Sequence, residues 1–185
     1  MSLPYRLKID WPDIDGTPYL KAQPRILPSR GALKVGVVGA GSAKYVADSA
    51  RSMNFNDLIP LFDVPVIAFY SLQKGLAEQD LKESGLIGLV ADLSSMLTDW
   101  QATAEVVAGL DAVVTVDTSV AHLSAALGIP TFTMIPKSCC WRWPREGERT
   151  PWYDSMRLIR QETPFEWKSV VINIRNRLIE MKNAK

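Results

Sequence analysis

From Leu33 onward, short apolar runs alternate with segments of helical period, and few folds accept that order. Leu33 to Val38, Val64 to Tyr70, Ile87 to Val90, Ala112 to Val116, Thr131 to Ile135 and Met156 to Ile159 read as buried strands. Between them Phe55 to Phe62, Ala77 to Glu83 and about Trp100 to Ala108 read as helices, the last with apolar positions Trp100, Ala104, Val107 and Ala108. Strands that are apolar throughout and joined by helices are covered on both faces and pair in parallel. Right-handed crossovers then predict a doubly wound, mainly parallel, Rossmann-like α/β sheet of about six strands in the order 3-2-1-4-5-6. A closing helix is expected from about Phe165 to Met181. Its stripe of Trp167, Val170, Val171, Ile174, Leu178 and Met181 falls at spacings of three and four, with Trp167, Val171 and Ile174 packing on the sheet. Arg175, Arg177, Glu180 and Lys182 form its solvated face.

Residues 1–32 contain Pro4, Pro12, Pro18, Pro24 and Pro28 and follow neither period. They are expected to form a proline-rich arm extended over the surface of a domain at 33–185, because proline is excluded from central strands and helix interiors. A chain of 185 residues can bury a substantial core without staples. Its formal charge of +1 supplies no field for nucleic acid or an anionic membrane, so an anionic ligand has to be held by a local site. The sequence shows no signal-like run and no apolar stretch of membrane-spanning length, which makes the cytoplasm the expected location. Cys139 and Cys140 are adjacent and His122 is the only histidine, so neither a mutual disulfide nor a zinc site is expected. Two ordinary thiols are expected in preference to a Cys140 nucleophile activated by His122.

The stretch Asp111 to Pro130 is a buried strand that stops at Asp117 and becomes a helix within one or two residues. A helix beginning at Thr118 and Ser119 brings free backbone N–H groups, two hydroxyls and His122 together, since positions three and four apart are neighbours. The same residues also suit a capped core helix with a satisfied histidine, and the local pattern does not choose. After the first strand, Gly39 and Gly41 allow close approach of backbone to a ligand, and Ser42 and Lys44 could meet a phosphate, or Lys44 could be a solvent-facing turn lysine. A dinucleotide fingerprint fails there, because Lys44 occupies the third glycine position and no acid follows the second strand. Gln73 and Lys74 follow the second strand, on the same edge of the sheet as Gly39 and Asp117. Gln73 could bond a base or sugar and Lys74 a diphosphate, or both could belong to a turn closed by Gly75. The loop after the fifth strand holds Trp141, Arg142, Trp143 and Trp152. These residues suit either stacking and phosphate contacts or the wedging of a long loop.

Together these pieces resemble the C-terminal, glycosyltransferase-like region of bacterial tetratricopeptide-repeat proteins, related to the heptosyltransferase type of the GT-B fold. The resemblance rests on Leu33 to Val38, Arg51-Ser52-Met53, Phe69 to Gly75, Val116 to Leu123, Trp141-Arg142-Trp143 and Ser155 to Gln161, and spans about residues 33 to 178. It implies the donor half of a two-domain enzyme that binds a nucleotide-diphosphate sugar at the carboxyl edge of the sheet. Thr118, Ser119 and His122 would meet the diphosphate, with Gln73 and Lys74 near it and Trp141 and Arg142 beside the nucleotide. It implies no metal and no cofactor, because helix amides and basic side chains can stabilise a leaving diphosphate.

The chain departs from that family at Gly39, where a tryptophan is common, and at Tyr45 to Ala50, where a basic polar loop precedes Arg51. No tetratricopeptide array or acceptor domain is read ahead of the arm. Half a cleft neither aligns an acceptor nor excludes water. Transfer is therefore expected only where another chain or self-association supplies the missing half. The alternative is a non-catalytic binding or protein-interaction module that keeps the fold. Asp117 and Asp48 are the only candidates for a general base, and a dehydrogenase stands a distant third behind these two classes.

Overall fold

The computed structural model describes residues 6–29 and 33–184. Its centre is a six-stranded sheet formed by β1 (Leu33–Val38), β2 (Ile67–Ser71), β3 (Val90–Asp92), β4 (Ala112–Val116), β5 (Thr131–Ile135) and β6 (Met156–Arg160). Every pairing is parallel and the order is β3-β2-β1-β4-β5-β6, as the alternating pattern predicts. The helices are α1 (Asp48–Arg51), α2 (Ile59–Phe62), α3 (Glu78–Glu83), α4 (Trp100–Ala108), α5 (Ser119–Ala126) and α6 (Lys168–Asn183).

Both sheet faces are covered, which explains why the central strands are apolar at consecutive positions. On one face Val35, Val37, Val114 and Met134 pack against Val171, Ile174 and Leu178 of α6 and against Phe55, Leu58 and Leu61. On the other, Val113, Tyr70 and Leu72 meet Val106 and Val107 of α4, while Ala121, Ala125 and Ala126 of α5 meet Ile135, Met156 and Leu158. Alanines on α5 let that helix approach the sheet closely. Trp167, Val171 and Ile174 lie in the core, as the stripe predicts.

Several boundaries move. The apolar run Ile87 to Val90 is not a strand along its length: Leu86–Gly88 is a 3-10 turn, Ile87 and Leu89 are exposed, and β3 begins at Val90. β3 is an edge strand with one neighbour, and only Phe69, Tyr70 and Ser71 offer it partners. β2 begins at Ile67 and not at Val64. The closing helix begins at Lys168, because Phe165 sits at φ +67°, outside helical geometry, and stays exposed. Trp100 is also exposed at the first turn of α4, whose buried side is Thr103, Ala104, Val106 and Val107. The Asp99 carboxylate caps that helix by accepting the Ala102 N–H at 2.8 Å. Phe55 to Phe62 divides into a 3-10 turn, Phe55–Leu58, followed by α2.

Residues 6–29 run over the surface and are pinned there; Pro4 lies outside the described residues. The Ala126 carbonyl accepts the N–H groups of Tyr19 (3.1 Å) and Leu20 (3.0 Å), Arg25 donates to the Glu105 carbonyl (2.9 Å), and Leu27 is buried beside α4. Gly109, at the C-terminal end of α4, makes this possible: a Cβ there would stand 2.2 Å from the Arg25 carbonyl oxygen. Its φ of −83° suits alanine, so contact alone opposes a side chain. Gly109→Ala is expected to lift the segment and cost about 1–2 kcal/mol through re-exposure of Leu27. Urea unfolding measures the loss, and amide exchange at Arg25 should accelerate; unchanged exchange would show that the segment is held elsewhere.

Candidate functional site

The sheet is parallel, so the loops after β1, β2 and β4 all emerge at its carboxyl edge, where open α/β sheets hold ligands. They enclose a cleft of about 450 Å³, lined among others by Gly41, Ser42, Lys44, Asp48, Gln73, Lys74, Thr118 and Ser119. Eight of the candidate binding residues or bases converge there from three separate loops.

The β1 loop is shaped by bonds that sequence spacing does not reveal. Gln73 is buried and grips the backbone of Ala40 at both ends, accepting its N–H at 3.0 Å and donating to its carbonyl at 2.9 Å. Its amide is thereby engaged in loop positioning, in place of the expected bond to a base or sugar. The Gly41 N–H donates to Ser52 Oγ at 2.9 Å, and a Cβ at Gly41 would meet the Arg51 guanidinium at 2.5 Å and Asp48 Oδ1 at 2.7 Å. Arg51 pairs with Asp48 at 3.0 Å, donates to the Asp117 carbonyl at 2.7 Å and lies 4.5 Å from the Tyr45 ring centroid. It therefore ties the β1 loop to the end of β4 and is not among the cleft lining. Asp48 reaches the cleft as a carboxylate paired with Arg51. Gly39 faces the core, its nearest neighbours being Leu58 and Met53.

At the start of α5, Thr118 has the extended backbone of an N-cap, but its hydroxyl makes no cap bond and lies 3.0 Å from the Thr115 hydroxyl. Thr115 donates to the Val116 carbonyl, so Thr118 is the donor of that pair. The first amides of an eight-residue helix thus face the cleft beside Ser119, with the positive end of the helix dipole. Lys74 lines the cleft, but its ammonium is engaged, donating to the Ser94 carbonyl at 2.8 Å and lying 3.8 Å from the Glu78 carboxylate.

His122 is not brought to the cleft face of α5. Its ring stacks on Trp143 with centroids 5.3 Å apart and planes 14° apart, and Nδ1 lies 3.1 Å from the Tyr153 hydroxyl. An imidazole gains more by covering its apolar face with an indole than by standing in water, and the loop after β5 supplies that indole. Burial lowers the His122 pKa below the ordinary 6.5, with Asp117 opposing and Arg142 assisting. Asp117 itself is buried, 3.9 Å from His122 Nε2, and accepts a long contact from the Cys140 thiol at 3.8 Å. Burial pushes that thiol's pKa up, away from a nucleophile. Trp141 is exposed, with the Arg142 guanidinium 6.0 Å from its ring. Both belong to the His122 side of α5 and not to the cleft lining, in contrast to the expectation that they flank a nucleotide there.

Residues 96–170 match the family model of glycosyltransferase family 9 (heptosyltransferase). The match covers α4, β4, α5, β5 and β6 and so includes the Thr118 and Ser119 wall of the cleft, His122 and the tryptophan loop. The chain is glycosyltransferase-like and heptosyltransferase-related over that stretch, and its parallel Rossmann-like sheet is consistent with a GT-B-type glycosyltransferase domain. No curated protein matches the chain.

Ser52, Tyr45, Trp143 and Tyr153 shape the surroundings of the cleft and of His122; Ser52 and Trp143 fall in the motifs that carry the resemblance, but their bonds had no signal in the sequence. Tyr153 is 31 residues from His122, a pairing without local signal. Among the described residues no group of three or more His, Cys, Asp and Glu side chains could hold a metal ion, and no helix is long and apolar enough to cross a membrane.

Proposed function

We propose that the cleft binds the diphosphate of a nucleotide-diphosphate sugar and that the chain is the donor-binding half of a glycosyltransferase, active when an acceptor half completes the cleft. The observation that carries this reading is the position of the α5 N-terminus, which is both a wall of the 450 Å³ cleft and part of the matched stretch. Free amides, the Ser119 hydroxyl and the Lys44 ammonium can meet phosphate oxygens there. A leaving diphosphate is stabilised by such donors when they are fixed in advance.

A second reading, a binding module without turnover, is favoured by the engagement of the basic groups. Arg51 is held by Asp48 and the Asp117 carbonyl, Lys74 by Ser94, and His122 by the aromatic loop. Asp48, the carboxylate in the cleft, is paired.

Calorimetric titration with uridine, guanosine, cytidine and thymidine diphosphates tests the binding step. One of them should bind, and Ser119→Ala should weaken it about tenfold, the loss of roughly 1.5 kcal/mol that accompanies a hydrogen bond to a charged group. His122→Ala should change affinity little, because the imidazole stands outside the cleft. Absence of binding at millimolar concentration would overturn the donor-site reading. Sugar transfer by the chain as a demonstrated monomer would overturn its dependence on an acceptor half.

A further inference from the structure

A second cavity of about 450 Å³ lies on the far side of α5 from the donor cleft, between the segment Ile9 to Tyr19 and the loop that carries Trp141 and Trp152. Its walls are indoles set at steep angles. Trp152 stands 6.0 Å from Trp11 at 56° and 6.3 Å from Trp141 at 85°, so three rings form a corner and not a flat stack. The ring of Trp152 is fixed by its N–H, which donates to the Arg142 carbonyl at 2.8 Å. The opposite wall is pinned as well, since the Asp154 N–H donates to the Gly16 carbonyl at 2.8 Å and Tyr19 is bonded to Ala126.

Asp10, Asp13 and Asp15 also line this cavity, and among the described residues no lysine, arginine or histidine does. Asp13 accepts the Asp10 N–H at 2.8 Å and Asp15 the Thr17 N–H at 2.9 Å, bonds that orient both carboxylates. None of the three makes an ion pair with a described residue. The Arg142 guanidinium is not part of the lining, but it lies over the Trp141 ring, 6.0 Å from its centroid, and its charge is felt at Tyr153. Indole faces are the best aromatic partners of a cation, and here Trp152 is half-buried while Trp11 and Trp141 are exposed, so a cation would keep part of its hydration. Carboxylates at the rim add long-range attraction and disfavour anions.

We propose that this aromatic corner binds an alkylated ammonium, with the cationic head against Trp11, Trp141 and Trp152 and the charge balanced by Asp10, Asp13 and Asp15. The site is separate from the donor cleft and does not depend on the function assigned to it. A neutral sugar also stacks on indoles, but it gains nothing from three carboxylates, and the absence of basic residues among the described lining favours the cation.

The test is a tryptophan-fluorescence and calorimetric titration of the full chain with choline, its neutral isostere 3,3-dimethylbutan-1-ol, and glucose. Choline should bind saturably and about two- to fivefold more tightly than the isostere, the margin expected of a cation–π contact at partly exposed rings. Trp152→Ala should weaken choline by about tenfold or more. Asp10→Asn combined with Asp15→Asn, both at exposed positions, should weaken choline and leave the isostere unchanged, which keeps the test valid if the tryptophan variant misfolds. Equal affinity for choline and the isostere would overturn the proposal, as would saturable binding of glucose alone or an unchanged affinity in the aspartate variant.

Discussion

Trp143→Ala is expected to lower the unfolding free energy by about 3 kcal/mol and to raise the pKa of His122 towards its ordinary value. Trp143 is 2% exposed, packs among Ala121, Ile135, Met156 and Leu158, and covers one face of the imidazole. Truncation removes that apolar area and leaves a cavity. The loss falls at the low end for an aromatic residue, because the buried indole N–H has no partner among the described residues and its removal is favourable. In a chain of this length the loss corresponds to a fall in Tm of about 10 °C.

The pH dependence follows from the same contact. Burial is the largest influence on His122 and depresses its pKa, so the unfolded chain takes up this proton more readily than the folded one. The contribution of His122 to stability is fully present above the unfolded value of 6.5 and declines as pH falls through it towards the folded pKa. Without the indole, desolvation weakens, Asp117 at 3.9 Å favours the imidazolium, and the slope should flatten. Urea unfolding between about pH 5 and 8, with an NMR titration of the only histidine, measures both quantities. An unshifted His122 titration would show that Trp143 is not what keeps the ring dry.

Arg51→Met is the second large effect, expected to cost about 2–3 kcal/mol and to abolish any nucleoside diphosphate binding in the donor cleft. The guanidinium makes an ion pair, a bond to a main-chain carbonyl and a ring contact at once. Methionine keeps much of the volume but strands the Asp48 carboxylate, whose side chain is 16% exposed, beside an apolar group. Partial exposure of the pair keeps the loss below that of a fully buried one. Arg51→Lys should recover less than half, because a point charge on a flexible stem cannot bond Asp48 and Asp117 while lying over Tyr45. Chemical denaturation and calorimetry on the three proteins separate the terms. Full stability with lost binding would move Arg51 from a positioning residue to a ligand contact.

What the sequence determined by itself is the sheet. Continuous apolar runs such as Val113 to Val116 can satisfy their backbones and bury both faces only in a covered parallel sheet, and the handedness of crossovers then restricts the strand order. The helix stripe of Val170, Val171, Ile174 and Leu178 was legible for the same reason: periodicity is a local property of the chain. Ile87 and Leu89 show its limit, since an apolar run at a sheet edge has partners on one side only and yields to a turn.

The cleft was legible as a set of loops at one edge, because parallel topology puts every β-to-α loop on the same side. Which side chains turn into it was decided by tertiary structure. Gln73 found the backbone of Ala40, Arg51 found Asp48 and the Asp117 carbonyl, and His122 found an indole and a phenol carried by a distant loop. Apart from the Arg51–Asp48 pair, three residues apart, these contacts join residues far apart in the chain, and only the assembled fold creates them.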